Sequence, residues 1–272
     1  MPDQVPRGHR AADGSGQPRP ANAPRPVPRF SLLDPERGRS SHDQIAAILG
    51  TELLQGRYAP GSTMPAEAEL GARFEVSRTV LREVMKTLAA KGFVVSKTRV
   101  GTRVREAVFW NYFDADVLAW RLRLGLDDAF LQTLTEIRRA LEPTAAALAA
   151  RRRQPADLAR LRECVRQIGR ADHSRQSFAA ADLDFHLALG SASGNPLIRS
   201  IASVIETALV ASFTYSSPVD DPHDHAVSVA GHAAVLAAIE AGDEAAAARN
   251  ILAVINSAVG RIQRRKPRET TS

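Results

Sequence analysis

Residues 63–105 read TMPAEAELGARFEVSRTVLREVMKTLAAKGFVVSKTRVGTRVR, and this stretch decides the fold. Pro65 suits a first helical position, Glu67 the first turn, and Ala68, Leu70 and Phe74 the inner face of a short helix. Ser77 is a good N-cap for a second helix, whose core side is Val80, Leu81, Val84, Met85 and Leu88. Gly92 stops it. Phe93 to Val95 and Thr102 to Val104 then read as two strands of a small ribbon, with its tip at residues 97–101. Two helices joined by a tight turn and followed by a ribbon make a winged helix-turn-helix, which places the start of its second helix in the DNA major groove.

Upstream, SHDQIAAILGTELLQG (residues 41–56) places Ile45, Ile48, Leu49, Leu53 and Leu54 at helical spacing, and Gly56 is a stop signal. Residues 1–39 are rich in Pro, Gly and Arg and lack a hydrophobic period. They read as a disordered basic arm that cannot bury enough surface to offset its ordering entropy. After residue 106 the texture becomes Ala-rich and amphipathic. It predicts helices near 114–124, 128–151, 155–170, 174–193, 196–216, 224–241 and 243–264, the second kinked at Pro143. The fold class is therefore mainly α: a winged helix-turn-helix domain over 40–106, an all-α bundle over 107–265, and a tail from 266.

Charge agrees with that division. Residues 40–105 carry ten Lys and Arg against six acidic residues, whereas residues 106–272 carry 19 against 20. A basic module on a neutral one suits phosphate contacts made at one end. No apolar run approaches the ~18 residues of a membrane span, and no apolar core of a secretion signal follows the N-terminus. The single cysteine, Cys164, cannot form an internal disulfide. These features predict a cytoplasmic protein without a membrane role.

Arg78 and Arg82 are four residues apart and share the helix face opposite the apolar stripe. Arg reads guanine O6 and N7 with two bonds or braces a phosphate. Ser77 and Thr79 offer hydroxyls to phosphates at the helix start, and Lys97, Arg99 and Arg103 place charge on the wing. In the C-terminal half, Asp182 and His186 stand four apart in ADLDFH, and His232 lies in AGHAAVLAAIE. One carboxylate and two imidazoles suit Zn²⁺, Mn²⁺ or Ni²⁺, although spacing alone favours a helix-stabilising ion pair. Arg138 precedes Glu142 by one turn, as a salt bridge would require. His223 and His225 read as part of a solvated loop, and Cys164 as a packing residue. Phosphate-loop, nucleophile and general-base motifs are absent, so an enzyme is not expected.

The segment MPAEAELGARFEVSRTVLREVMKTLAAKGFV…GTRV resembles the DNA-binding domain of GntR-family regulators. The resemblance implies operator contacts by Arg78, Thr79, Val80 and Arg82, and a wing contact near Gly101 and Thr102. Many members have Arg where this chain has Ala68, so one contact usual in the family is missing. EIRRALEPTAAALAA, ADLDFH, SGNP and GHAAVLAAI followed by GD resemble the FCD effector domain of the FadR subgroup. That resemblance implies a divalent ion, foremost Zn²⁺, on Asp182, His186 and His232. The family's fourth ligand, a later His, is absent, and Val254 aligns in its place. It also implies that Arg138 meets an anionic effector and that a homodimer binds a palindromic double-stranded operator. The connector FWNYFDADVLAW, PAEAEL and the missing His resemble sugar-acid-responsive members. The expectation is thus a repressor released by an aldonate or uronate, with another carboxylate (lactate, pyruvate or a fatty-acid derivative) as the alternative.

Overall fold

The computed structural model describes residues 40–97 and 101–265. The arm over 1–39, Arg99 at the wing tip and the tail from 266 fall outside them.

The first lobe is a three-helix unit with a wing. Helix α1 (Ser41–Leu54) starts at Ser40, whose Oγ accepts from the Asp43 N–H. Helix α2 spans Glu67–Phe74, and Pro65 lies two residues before it rather than at its first position. Helix α3 (Arg78–Ala90) begins at Ser77, whose hydroxyl accepts from the Val80 N–H at 3.3 Å. The turn between α2 and α3 is closed by Glu75, a non-glycine residue in the left-handed region at φ 54°. Strands β1 (Val94–Lys97) and β2 (Gly101–Val104) pair antiparallel, Val94 opposite Val104. Residues 61–64 extend this ribbon: Met64 donates to Thr102 O and Val104 to Ser62 O.

Leu49, Leu53, Leu70, Leu81, Val84, Leu88 and Phe93 fill the first core. Two residues assigned by spacing to the inner face point outward instead. Ala68 is exposed, and Ile48 is 43% exposed. α2 begins later than Pro65 suggested, and its two-turn length leaves Leu70 as its one fully buried residue.

The chain leaves the wing through one 3₁₀ turn (Ala107–Phe109) and crosses directly over Gly92. A Cβ at Gly92 would lie 2.1 Å from the Phe109 carbonyl oxygen, and its φ of +84° is itself glycine territory. Trp110 stacks at 4.8 Å on Phe93 and donates its indole N–H to the Arg105 carbonyl. Helix α4 (Ala115–Arg123) then starts at Asp114, and buried Lys91 bridges Asp114 and Asp116 at 2.6 and 2.8 Å. Val117 and Trp120 of α4 pack into the first core, while Leu118 and Leu122 pack with α5, α7 and α9 in another.

The second lobe holds α5 (Asp128–Arg152), α6 (Pro155–Ile168), α7 (Arg175–Ala192), α8 (Pro196–Val204), α9 (Glu206–Tyr215), α10 (Pro222–Ala241) and α11 (Glu244–Arg265). Its helices start where the sequence supplies caps. Asn195 and Asp221 cap α8 and α10 and are each followed by Pro, and Ser174 with Ser177 form a reciprocal cap on α7. Helix α5 continues through Pro143. Cys164 is buried in the main core with Phe178, Phe185 and Leu189.

Two expectations are corrected here. The single helix over 196–216 is two helices, α8 and α9, bent by 62° at Ile205. The bend buries Ile205, Leu209 and Phe213 while α8 stays at the surface, with none of its residues fully buried. His223 and His225 lie in the first turn of α10, not in a loop. His225 Nε2 meets the Ile168 carbonyl at 3.0 Å and its ring packs edge-on to Phe178, so it ties α10 to α6 and α7. Among the described residues, no single helix is long and apolar enough to cross a membrane.

Candidate functional site

The structure presents two places where functional side chains gather. The first is the exposed start of α3. Ser77, Arg78, Thr79 and Arg82 are exposed and Val80 is half-buried, on the side of α3 opposite Leu81, Val84 and Leu88. The N–H groups of a first helical turn lack intrahelical partners and favour anions, which adds to the two guanidinium groups. On the wing, Lys97 and Gly101 are exposed and Thr102 half-buried. Arg103 is not available there in the way the sequence suggested: its guanidinium turns back and donates from Nε and Nη2 to the Gly61 carbonyl. It fastens residues 61–64 to the wing.

Behind this surface lies a network that the sequence reading missed. Glu52 of α1, 7% exposed, takes Arg73 of α2, Arg57 and the Tyr58 hydroxyl. These partners, Arg73 first, hold its carboxyl below the usual Glu range against the opposing effect of burial. The signal that could have found it is an acidic residue inside an otherwise apolar helix face, next to Leu53.

The second place is a buried polar cluster between α5, α7 and α10. Asp182, His186 and His232 are each less than a tenth exposed. One ligand atom from each lies within 4.8 Å of the others. Arg138 joins them from α5: its Nε donates to Glu142 Oε1 at 2.6 Å, and its Nη2 lies 3.1 Å from His186 Nε2. The Phe213 ring closes the cluster, 4.6 Å from the Arg138 guanidinium and 5.1 Å from the His186 ring. Arg138 and His186, foremost Arg138, hold Glu142 at a pKa of about 2 despite its burial. The two imidazoles push Asp182 down from the ordinary Asp value.

The donor set fits a cation. His232 Nδ1 lies 2.8 Å from the Ser228 carbonyl and can only donate to it, which leaves the Nε2 lone pair bare. That nitrogen is 2.9 Å from Asp182 Oδ1, yet neither atom has a hydrogen-bond partner. His186 Nδ1 also lacks a hydrogen-bond partner but faces Glu142 Oε2 at 2.8 Å, because the Arg138 guanidinium takes the lone pair of Nε2 and leaves the proton on Nδ1. Buried polar atoms are rarely left without partners, and Asp182 Oδ1 and His232 Nε2, with His186 Nε2 3.5 Å from the same oxygen, are a pattern an ion satisfies once His186 Nε2 gives up its contact with Arg138. A divalent ion would find one carboxylate and two imidazoles there.

A shallow cleft opens beside this cluster, with a cavity volume of about 30 Å³. Arg138, Glu142 and His186 form its polar patch, and α5, α7, α8 and α9 supply its walls. Asp182 and His232 lie behind His186.

Residues 41–104 match the family described as bacterial regulatory proteins, gntR family, and residues 133–257 match the FCD domain. The galactonate operon transcriptional repressor of Escherichia coli K12 is 32% identical over 221 residues, covering 81% of this chain and 96% of that one. This chain belongs to the GntR family of bacterial regulators. A second E. coli relative, the uncharacterized HTH-type regulator YieP, is 32% identical over 78% of this chain and 91% of its own. The fold recurs in the solved structure described as "Lar controls the expression of the Listeria monocytogenes agr system and mediates virulence", with a TM-score of 0.57 at 20% identity, covering 85% of this chain and all of that one.

The GntR match covers α1 to β2, and the FCD match holds Arg138, Asp182, His186 and His232. This GntR-family chain is a transcription regulator and not an enzyme. Val254 of α11 packs against Gly231, the neighbour of His232, where a Cβ would meet its Cγ2 at 3.0 Å. An aliphatic side chain thus lies next to the ligand set.

Proposed function

We propose that this GntR regulator is a repressor that binds a palindromic double-stranded operator as a homodimer in the cytoplasm and is released by a small carboxylate. Arg78, Thr79, Val80, Arg82 and Ser77 enter the major groove, and Lys97, Arg99, Gly101 and Thr102 of the wing contact the adjacent backbone or minor groove. One winged helix spans only a short half-site, which supports a dimer. Asp182, His186 and His232 would hold a divalent ion (Zn²⁺ foremost, Mn²⁺ or Ni²⁺ otherwise), which would supply Lewis acidity to an effector oxygen. Arg138 meets the acid end of the effector through paired N–H donors.

The observation that carries this reading is the unsatisfied cluster of Asp182, His186 and His232 beside Arg138 and an open cleft. Likeness to the galactonate operon repressor supports a sugar acid within the carboxylate class.

The test is a fluorescence-anisotropy titration of a DNA duplex carrying the protein's own upstream region, with metal-loaded protein and a panel of carboxylates. The expected result is tight binding that one carboxylate weakens at least tenfold and that chelator makes insensitive to that carboxylate. A carboxylate response that is unchanged in Arg138→Ala would overturn the effector assignment.

A further inference from the structure

We infer that Arg138 is a latch on the metal site: it holds the one lone pair that His186 would give to an ion, so the Arg138–His186 bond and metal loading exclude each other. This rests on the reading of Asp182, His186 and His232 as a divalent-ion site and adds its regulation.

A single nitrogen carries the conflict. His186 Nε2 faces Asp182 Oδ1 at 3.5 Å, and His232 Nε2 approaches the same oxygen at 2.9 Å. His186 Nε2 is also the atom that Arg138 Nη2 meets at 3.1 Å. A guanidinium has donors only, so this contact requires Nε2 to accept, and an imidazole nitrogen has one lone pair to give. Nδ1 of the same ring then bears the proton and faces Glu142 Oε2 at 2.8 Å. That is the tautomer a ligand through Nε2 needs. Arg138 thus keeps the ring ready for an ion while occupying the atom the ion would use.

The latch can open without setting Arg138 loose. Arg138 and Glu142 are four apart on α5, and Arg138 Nε donates to Glu142 Oε1 at 2.6 Å. With that bond kept as a pivot, Nη2 can swing off His186 across the Phe213 ring, which lies 4.6 Å from the guanidinium. Arg138, Glu142 and His186 all border the cleft, whose cavity of about 30 Å³ has room for a water. A released N–H finds its replacement partner there.

Charge acts in the same direction. Arg138 is buried, and a guanidinium beside a divalent ion in poorly hydrated surroundings is repelled by it. Loading therefore favours the position of Nη2 in the cleft. The coupling is reciprocal: anything that draws Arg138 toward the cleft tightens the metal by the same factor.

The experiment measures the zinc affinity of full-length, metal-stripped protein by competition with a chromophoric chelator, for wild type, Arg138→Lys and Arg138→Ala, each first shown by circular dichroism to keep its helix content. Lys keeps the charge and pairs with Glu142 through its one nitrogen, which leaves none for His186. Loss of a competing bond from a charged donor should tighten zinc about tenfold in Arg138→Lys, and at least as much in Arg138→Ala. Imidazole ¹⁵N spectra of zinc-free wild type should show His186 protonated on Nδ1 alone. Wild-type affinity in Arg138→Lys, with tightening only in Arg138→Ala, would reduce the effect to charge and overturn the latch. Weaker zinc binding in both variants, or a proton on His186 Nε2, would overturn it as well. Failure of zinc to bind wild type and variants alike would instead dismiss the metal reading on which the latch rests.

Discussion

Glu52 on α1 and Arg73 on α2 form a two-pronged ion pair, with Arg73 Nη2 2.5 Å and Nη1 2.9 Å from the two carboxylate oxygens. Glu52 is almost fully enclosed while Arg73 reaches it from the surface, so the pair fastens the first helix of the reading head from outside. Glu52→Gln should cost about 1 kcal/mol at neutral pH, because the enclosed side chain loses its charge-assisted bonds while Arg73 and Arg57 stay hydrated at the surface.

The same pair sets an acid limit. The pKa of Glu52 is lowered by folding, foremost by its bond to Arg73. Its contribution is therefore complete above its unfolded value of about 4.5 and is lost as pH falls through its lower folded value. Urea midpoints of wild type and Glu52→Gln should differ at pH 7 and converge below pH ~4.5. A gap that stays constant down to pH 3 would show that the carboxylate does not stabilise the head.

At Gly50 a Cβ would lie 2.1 Å from Trp120 Cε3, so α4 rests its indole directly on the backbone of α1. Gly50→Ala should force the ring aside, at a cost of about 1–3 kcal/mol. Thermal melts should record the loss, and tryptophan emission should shift as the ring loses its enclosure. An unchanged spectrum would contradict the contact.

Arg78→Ala and Arg82→Ala should each weaken operator binding by about 10- to 100-fold with an unchanged melting temperature, since both side chains are exposed. Salt titrations separate the two roles. A phosphate contact lowers the slope of log affinity against log salt by about one, whereas a base contact leaves the slope alone and relaxes sequence preference. Wild-type affinity in both variants would remove α3 as the reading helix.

Glu75 holds a left-handed conformation at φ 54° in the turn between α2 and α3. Glycine adopts that conformation without the Cβ penalty, which is about 1 kcal/mol for other residues. Glu75→Gly should therefore raise the unfolding free energy, read from urea titration, by up to about 1 kcal/mol.

For the metal, His232→Ala should remove bound zinc, measured by atomic absorption, without unfolding the bundle. Chelator should lower the wild-type melting temperature and leave that of the variant unchanged, because an ion that binds only the native state stabilises it by an amount that grows with the logarithm of its free concentration over its dissociation constant. Equal metal content in both proteins would dismiss the three-residue site.

The helix starts were legible because the sequence writes caps. Ser77 opens α3 as read and Asn195–Pro196 marks α8, whereas Asp221–Pro222, which caps α10, was read as loop with the helix placed from 224. The stop at Ile205 was not legible. Neither Gly nor Pro stands there, and the bend comes from what Leu209 and Phe213 bury, not from local propensity. The Arg138–Glu142 pair could be read from helical spacing, but the approach of Arg138 to His186 across 48 residues could not. Lone pairs left without partners are a property of assembled geometry, so spacing could only nominate Asp182, His186 and His232. The role of Glu52 was not legible because its partners lie in a loop and on the next helix. The orientation of Trp120 was hidden for a related reason: periodicity reports which residues share a face, not which of two cores that face enters.

That last ambiguity has a consequence for anyone grafting these modules. Val117 and Trp120 complete the first core, and Leu118 and Leu122 belong to the one shared by α5, α7 and α9. A cut after the wing strips the head of the ring that rests on Gly50. A cut at Gly125 restores the head but leaves Leu118 and Leu122 facing water. The chain has no seam that can be opened without baring apolar surface on one side. Chimeras that keep α4 with its own head should stay soluble only if the recipient bundle offers a slot for those two leucines. The vocabulary of interchangeable reader and sensor applies to this protein only when the connector's second face is redesigned along with the join.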